Sequence, residues 1–130
     1  AKDEVLVEIV VPRPAARSAD AYLRFIPRTE MDIAVAGAGV NVTLDDNGVC
    51  TAARIAIGAV APTPLLVPEA AQALIGSKLE EQALQAAGEA ATGASKPITD
   101  RRGTVEFRKH IVGVLTRRAA SMAAQRAREK

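Results

Sequence analysis

The chain has 130 residues and a net charge of +2, and 48% of its residues are hydrophobic although only three are aromatic. This length fits one domain, which buries roughly two-thirds of its unfolded surface on folding. No apolar run approaches the ~20 residues of a membrane span, and a single cysteine excludes an internal disulfide framework. We expect a cytoplasmic protein whose residues 1–130 form one domain that does not contact a membrane.

The first half of the chain is predicted to form an antiparallel sheet. Residues 5–11 alternate in the manner of a half-buried strand, and residues 15–20 are expected to form a loop. Apolar side chains at every second position predict a long strand over residues 33–44. Residues 45–48 end in Asn-Gly, which accepts the positive φ angles of a hairpin turn. The chain then returns as a strand over residues 49–58.

The second half has the spacing of three helices. Pro68 suits the first turn of a short helix that ends near Leu74, and residues 80–91 predict a second helix. The third and longest helix is predicted to begin at Thr104, an N-cap residue type. Its apolar residues recur at helical spacing and are expected to pack on the sheet: Phe107, Ile111, Val114, Leu115, Ala119 and Met122. Strands followed by helices predict an α+β fold, with an antiparallel sheet of three to four strands and three helices packed on it.

The sequence contains neither a dinucleotide-binding motif nor a histidine cluster that could bind a metal. The glycines at positions 37 and 39 invite a dinucleotide-binding interpretation, but Val42 stands where the third glycine is needed and a strand pattern follows. We expect these glycines to let another backbone or a ligand approach the sheet. His110 is the only histidine, so no histidine cluster can bind a metal, and the sequence contains no complete active site.

Three segments carry a resemblance to a known family: residues 22–34, residues 54–64 and residues 100–108. In order and spacing they resemble the C-terminal domain of the FAD-binding subunit of molybdenum hydroxylases, a family that includes carbon monoxide dehydrogenase and xanthine dehydrogenase. The resemblance implies a domain that completes an FAD site and contributes to subunit contacts. The implied partners are the remainder of the FAD subunit, a small subunit with two-iron two-sulfur clusters and a large subunit with the molybdenum cofactor.

The resemblance also implies which residues lie near the flavin. Arg24 matches a basic position beside FAD, where a cation would neutralise pyrophosphate charge or stabilise the charge of a reduced flavin. Arg28 matches a second basic position in the same loop, and Asp32 is expected to fix that loop through local hydrogen bonds. Residues 100–102 match a motif before the last helix, which we expect to tie the loop to the helix N-terminus. The family's glycine-rich flavin loops are absent, so the chain is expected to be a fragment of a longer subunit that is not catalytic alone.

The basic C-terminal end leaves a second interpretation open. From Arg117 to Lys130 five cations stand against one carboxylate, that of Glu129. Basic residues at a helix C-terminus also complement its dipole, so the charge alone indicates only a solvated helix. The alternative hypothesis is a non-enzymatic interaction module whose basic helix docks on an acidic partner or nucleic acid. The resemblance, by contrast, implies no nucleic-acid partner.

Overall fold

The computed structural model describes residues 2–29 and 31–130, which form one four-stranded antiparallel sheet and three helices. The strands are β1 (Ser18–Phe25), β2 (Ala36–Leu44), β3 (Cys50–Gly58) and β4 (Leu65–Leu66), in the spatial order β1-β2-β3-β4. The helices are α1 (Pro68–Leu74), α2 (Glu81–Ala94) and α3 (Val105–Arg128). The predicted α+β fold class is therefore confirmed, with four strands followed by three helices.

The hairpin between β2 and β3 forms where the sequence predicts it. Gly48 adopts a φ of +77°, which a glycine reaches without steric cost. The Asp45 carboxylate closes the turn by accepting hydrogen bonds from the backbone N–H groups of Asn47 at 2.9 Å and Val49 at 2.8 Å. The Asp45 side chain thus satisfies two backbone N–H groups of its own turn, so that these groups need no partner from another segment.

The prediction of a first strand over residues 5–11 is wrong. None of these residues lies in a strand, and the six apolar side chains among them are 76–90% exposed. The sheet begins instead with β1 at Ser18, inside the stretch that was expected to be a loop. β2 also begins later than predicted, at Ala36, because the preceding residues form the connection from β1. Apolar alternation marks a segment that can pair, but it does not supply a pairing partner within the domain.

The helices cover one face of the sheet, and the residues of α3 that face it differ from the predicted set. Of the predicted stripe only Leu115 and Ala119 are buried, while Phe107 and Met122 are 39% and 37% exposed. The buried residues of α3 are Arg108, Val112, Gly113, Leu115, Thr116, Ala119, Ala120, Ala123, Ala124 and Ala127. Alanines face the sheet because small side chains let the helix backbone approach closely, and the larger apolar residues lie at the margin of the contact.

The ends of the helices follow the sequence closely. Thr104 is the N-cap of α3, and its hydroxyl accepts a hydrogen bond from the backbone N–H of Phe107 at 3.2 Å. Pro68 occupies the first turn of α1, as predicted. α2 begins at Glu81 and continues to Ala94, three residues beyond the predicted end. These caps place α3 directly after the loop that matters for the site.

Candidate functional site

The face of the sheet opposite the helices carries Arg24. Along β1 the side chains alternate, so that Ala19 and Ala21 are buried against the helices while Tyr22 and Arg24 are exposed on the outer face. Arg24 lies opposite Gly37 in the β1–β2 register. Within the part of the chain that the structure describes, its guanidinium makes no hydrogen bond and no ion pair. The cation that the resemblance places beside FAD is therefore free to bind a partner.

Tyr22 lies beside Arg24 on this face and covers the two glycines of β2. A Cβ atom at Gly37 would stand 2.8 Å from the Tyr22 hydroxyl oxygen, and one at Gly39 would stand 3.6 Å from the ring. The glycines thus let the tyrosine ring lie close to the sheet, while 63% of the side chain stays exposed. The close approach at these glycines is made by a side chain of the same sheet, and not by another backbone or a ligand as expected.

Arg28 lies in the connection between β1 and β2 and is paired. Its Nε is 3.3 Å from Asp32 Oδ2, and the Nε of Arg102 is 3.9 Å from Asp32 Oδ1. The same Oδ1 accepts a hydrogen bond from the backbone N–H of Ile33 at 2.8 Å. Asp32 therefore fixes the loop through local hydrogen bonds, as predicted, and it offsets part of the charge of Arg28.

The carboxylate of Asp32 is largely enclosed, with only 8% of its side chain exposed, whereas Arg28 is 74% exposed. Burial acts to raise the pKa of Asp32. The backbone N–H of Ile33 and the cations Arg28 and Arg102 together outweigh burial, so the pKa of this carboxyl lies below its ordinary value. Asp32 thus stays ionised near neutral pH and holds both arginines.

The loop before α3 is closed by a tight turn from Asp100 to Gly103. Their backbones exchange two hydrogen bonds, at 3.1 and 3.3 Å, and the Asp100 carboxylate accepts another from the backbone N–H of Arg102 at 2.8 Å. The predicted role of residues 100–102, tying the loop to the helix N-terminus, is confirmed for Asp100, whose carboxylate accepts a hydrogen bond from the Arg108 side chain of α3. The hydrogen bond from the Arg108 side chain is the main reason why the pKa of Asp100 lies below its ordinary value.

Arg108 is the residue that sequence reasoning missed. It is 4% exposed, and its Nη2 donates to Asp100 Oδ1 at 2.7 Å. Its Nη1 donates to the backbone carbonyl oxygens of Val35 at 2.8 Å and Ala59 at 3.3 Å. One guanidinium thus joins α3, the start of β2, the end of β3 and the preceding loop. Its position four residues before the buried Val112 was the sequence signal that it lies on the inner face of α3.

An aromatic contact joins the two loops at this end of the sheet. The rings of Phe25, at the end of β1, and Phe107, in the first turn of α3, meet edge to face with centroids 5.8 Å apart. Together with the pair between Asp32 and Arg102, this contact holds the β1–β2 connection against the loop before α3. Arg28 belongs to this network, and Arg24 lies outside it on the open face.

The basic C-terminal end is largely bound to the domain itself. Arg126 donates to the backbone carbonyl oxygen of Asp20 at 2.7 Å, and Lys130 donates to that of Ser18 at 2.9 Å. Arg128 donates to the carbonyl oxygen of Lys78 at 2.8 Å. These three cations serve intramolecular contacts.

Two other kinds of feature are absent from the residues that the structure describes. Over residues 2–29 and 31–130, no three metal-ligating side chains come together into a cluster. Among the helices of the same residues, none has the length and apolar character to cross a membrane. The thiol of Cys50 is buried, and burial raises its pKa.

Comparison with known proteins agrees with the resemblance. The sequence profile of the CO dehydrogenase flavoprotein C-terminal domain matches residues 21–123. The chain is 37% identical over 125 residues to the carbon monoxide dehydrogenase medium chain of Afipia carboxidovorans, which covers 96% of this chain and 43% of the relative. It is 32% identical over 122 residues to the xanthine dehydrogenase FAD-binding subunit of Escherichia coli O157:H7, covering 93% and 41%. The chain therefore spans about two-fifths of the length of these two relatives.

The fold agrees with solved structures as well. A carbon monoxide dehydrogenase from Hydrogenophaga pseudoflava, solved in a form that lacks the Mo-pyranopterin moiety of the molybdenum cofactor, superposes with a TM-score of 0.82. The two sequences are 34% identical, and the match covers 90% of this chain and 40% of the other.

Proposed function

The chain belongs to the family of CO dehydrogenase flavoprotein C-terminal domains, and from this membership we propose that it is part of the FAD-binding subunit of a molybdenum hydroxylase. In this proposal residues 1–130 form one domain that closes one side of the FAD site and is not catalytic alone. The rest of the subunit holds most of the cofactor. The partners are a small subunit with two-iron two-sulfur clusters and a large subunit with the molybdenum cofactor, in the cytoplasm. Bound FAD would supply the redox chemistry that passes electrons from the clusters to an external acceptor.

The observation that carries the proposal is the free guanidinium of Arg24 beside the exposed ring of Tyr22. A cation without a partner and an accessible aromatic ring suit contact with a planar cofactor that carries negative charge. The fit is partial, because the sequence has no Gly-Gly pair of the kind that forms the family's phosphate-binding loops. These residues therefore suit one wall of an FAD site, and the rest of the subunit must supply the other walls.

We assign the two arginines different roles within this proposal. Arg24 contacts FAD, either at the pyrophosphate or where negative charge develops on the reduced ring. Arg28 also faces the cofactor, but the carboxylate of Asp32 partly neutralises its charge and so weakens its attraction to a negatively charged group. Its main contribution is to hold the β1–β2 connection in place.

The alternative, an interaction module with a basic docking helix, has less support. Its cations at Arg126, Arg128 and Lys130 already bind backbone carbonyl groups of the domain. The relatives are subunits of oxidoreductases, which also favours the flavin proposal.

The test compares variants of the full-length subunit that carries this sequence. Arg24→Ala should lower the FAD occupancy or slow flavin reduction, because it removes the free cation. Arg24→Lys should be mild, since a charge-based contact survives in lysine. Arg118→Ala, which removes an exposed arginine of α3 on the other side of the sheet, is the control. If Arg24→Ala matches the control in both occupancy and reduction rate, Arg24 does not contact the flavin.

A further inference from the structure

The carboxylate of Asp32 is an enclosed charge that needs a cation beside it. Only 8% of its side chain is exposed, although it lies in a surface loop. One of its oxygens accepts a hydrogen bond from the backbone N–H of Ile33 at 2.8 Å, which satisfies part of the charge. A carboxylate in such a position has lost most of its hydration, so that leaving it without a counterion is costly. The cations that pair with Asp32 are therefore not equally free to leave it.

Arg28 is the cation that can leave. Its Nε lies 3.3 Å from Asp32 Oδ2, and its side chain is 74% exposed. Among the described residues its side chain has no other hydrogen bond or ion pair. A solvent-exposed ion pair contributes little to stability, so an arginine held in this way exchanges one anion for another at little cost.

Arg102 is the cation that stays. Its Nε lies 3.9 Å from Asp32 Oδ1, and its side chain is 41% exposed. Its backbone N–H donates to the Asp100 carboxylate at 2.8 Å. That carboxylate is itself bound at 2.7 Å by the buried guanidinium of Arg108. The backbone of Arg102 is thus anchored to the core of the domain, which keeps its side chain within reach of Asp32.

We propose that Arg102 is a positioning residue of the flavin wall, because it keeps Asp32 paired while Arg28 leaves that carboxylate to bind the negatively charged cofactor. The inference rests on the proposed function, since FAD is the anion that Arg28 binds. Two cations beside one carboxylate leave one positive charge over, and the difference in anchoring assigns this charge to Arg28. Arg102 then takes over the hold on the β1–β2 connection. Without Arg102, departure of Arg28 would strand an enclosed carboxylate, and Arg28 would stay with Asp32.

The test measures the dissociation constant of FAD for the full-length subunit by flavin fluorescence. Arg102→Ala should raise this constant roughly tenfold, the size expected when one hydrogen bond to a charged group is lost. Arg102→Lys should bind FAD nearly as tightly as wild type, because an ion pair at 3.9 Å needs the charge and not the planar fork of the guanidinium. Arg101→Ala is the matched control, since it removes the same charge from the neighbouring exposed residue. It should change the constant by no more than about twofold.

Two double variants distinguish positioning from general damage to the loop. In an Arg28→Ala background, Arg102→Ala should have little further effect, because no cation is left to be released. In an Asp32→Asn background it should again have little effect. The neutral amide needs no counterion, and its oxygen can still accept the hydrogen bond from Ile33. Damage to the loop would instead add to the loss of affinity in both backgrounds, and additive losses in either one would overturn the inference.

The outcomes separate this inference from the proposed function, which the Arg24→Ala variant tests independently. If Arg102→Ala binds FAD like wild type while Arg24→Ala lowers occupancy or slows reduction, the inference is overturned and the proposed function stands. Equal losses in Arg102→Ala and Arg101→Ala would assign the effect to net charge alone and would also overturn the inference. A wild-type subunit that binds no FAD would overturn the proposed function and the inference with it.

Discussion

Arg108 shows how one buried charge can join segments that are distant in the sequence. Its guanidinium satisfies the backbone carbonyls of Val35 and Ala59 and the carboxylate of Asp100. These acceptors belong to three segments that are distant from one another in the sequence. A planar group with several fixed donors is suited to join them, whereas lysine lacks this geometry.

Replacing this residue should therefore be costly. Arg108→Ala leaves the carbonyl of the buried Val35 without a donor, which alone costs about 1–3 kcal/mol, and it also removes a packed side chain. Urea unfolding of the isolated chain would measure the loss of stability. Arg101→Ala, a change at an exposed neighbour, should stay within about 0.5 kcal/mol of wild type. Equal effects of the two variants would show that Arg108 does not hold the loops together.

The carboxylate of Asp100 should make stability depend on pH. Its pKa is lowered in the folded state, chiefly by the hydrogen bond from Arg108. The unfolded chain therefore binds more protons at acidic pH, so this contribution is present above the unfolded pKa of about 4 and is lost as pH falls through the folded pKa. Asp100→Asn should flatten the decline in stability below about pH 5. Urea midpoints from pH 2 to 7 measure this, and an Asp100→Asn variant that keeps the wild-type slope would mean that the Asp100 carboxylate is not the source of the decline.

At the scale of elements, the contact between α2 and α3 depends on glycine. A Cβ atom at Gly113 would stand 2.5 Å from the Thr92 hydroxyl oxygen and 3.2 Å from the carbonyl oxygen of Gly88. The Thr92 hydroxyl is held there by hydrogen bonds to the carbonyl oxygens of Gly88 and Lys109. The two helices approach this closely only because neither crossing position carries a side chain.

We predict that Gly113→Ala destabilises the domain by about 1–3 kcal/mol, the usual range for overpacking. Gly93→Ala is the matched control, because this glycine also lies in a helix but has no atom near its Cβ position. It should stabilise the domain by roughly 0.5–1 kcal/mol through helix propensity. Thermal and urea unfolding of both variants provide the comparison, and a stable Gly113→Ala variant would mean that the helices can move apart at little cost.

The elements were predictable where the signal is local, and their packing was not. The Asn-Gly hairpin, the Thr104 cap and the order of strands and helices follow from turn chemistry and periodicity. The buried face of α3 could not be predicted in this way. A prediction based on large apolar residues selects Phe107, whereas the residues that fit the close contact with the sheet are mostly alanines. The last turn of α3 is also part of the packing, since Ala127 is fully buried and Arg126 donates to the carbonyl oxygen of Asp20 in β1.

The candidate site was predictable only in part, for a physical reason. The family resemblance indicated Arg24 and Arg28, but no sequence pattern shows whether a cation is already paired. The structure separates them, since Asp32 neutralises Arg28 while Arg24 has no partner among the residues described. Whether a charge is free depends on contacts between distant segments, such as that of Arg102 with Asp32.

At the scale of the whole molecule, the two faces of the sheet differ: one packs on the helices, and the other is exposed. The inner face of the sheet and the helices form the core. The outer face carries Arg24, Tyr22 and two glycines, and it contributes little to burial. A domain divided in this way should fold without the rest of the subunit, while its binding face remains incomplete.

We therefore predict that residues 1–130 fold cooperatively as an isolated domain but do not bind FAD in the micromolar range. One cation and one aromatic ring provide too few contacts to offset the loss of translational and rotational freedom on binding. The backbone N–H groups that would hold the pyrophosphate belong to loops that this sequence lacks. Circular dichroism during urea unfolding tests the fold, and titration with FAD followed by flavin fluorescence tests binding. Stoichiometric micromolar binding would mean that this domain holds a complete flavin site, whereas a chain that fails to unfold cooperatively would mean that the core needs the remainder of the subunit.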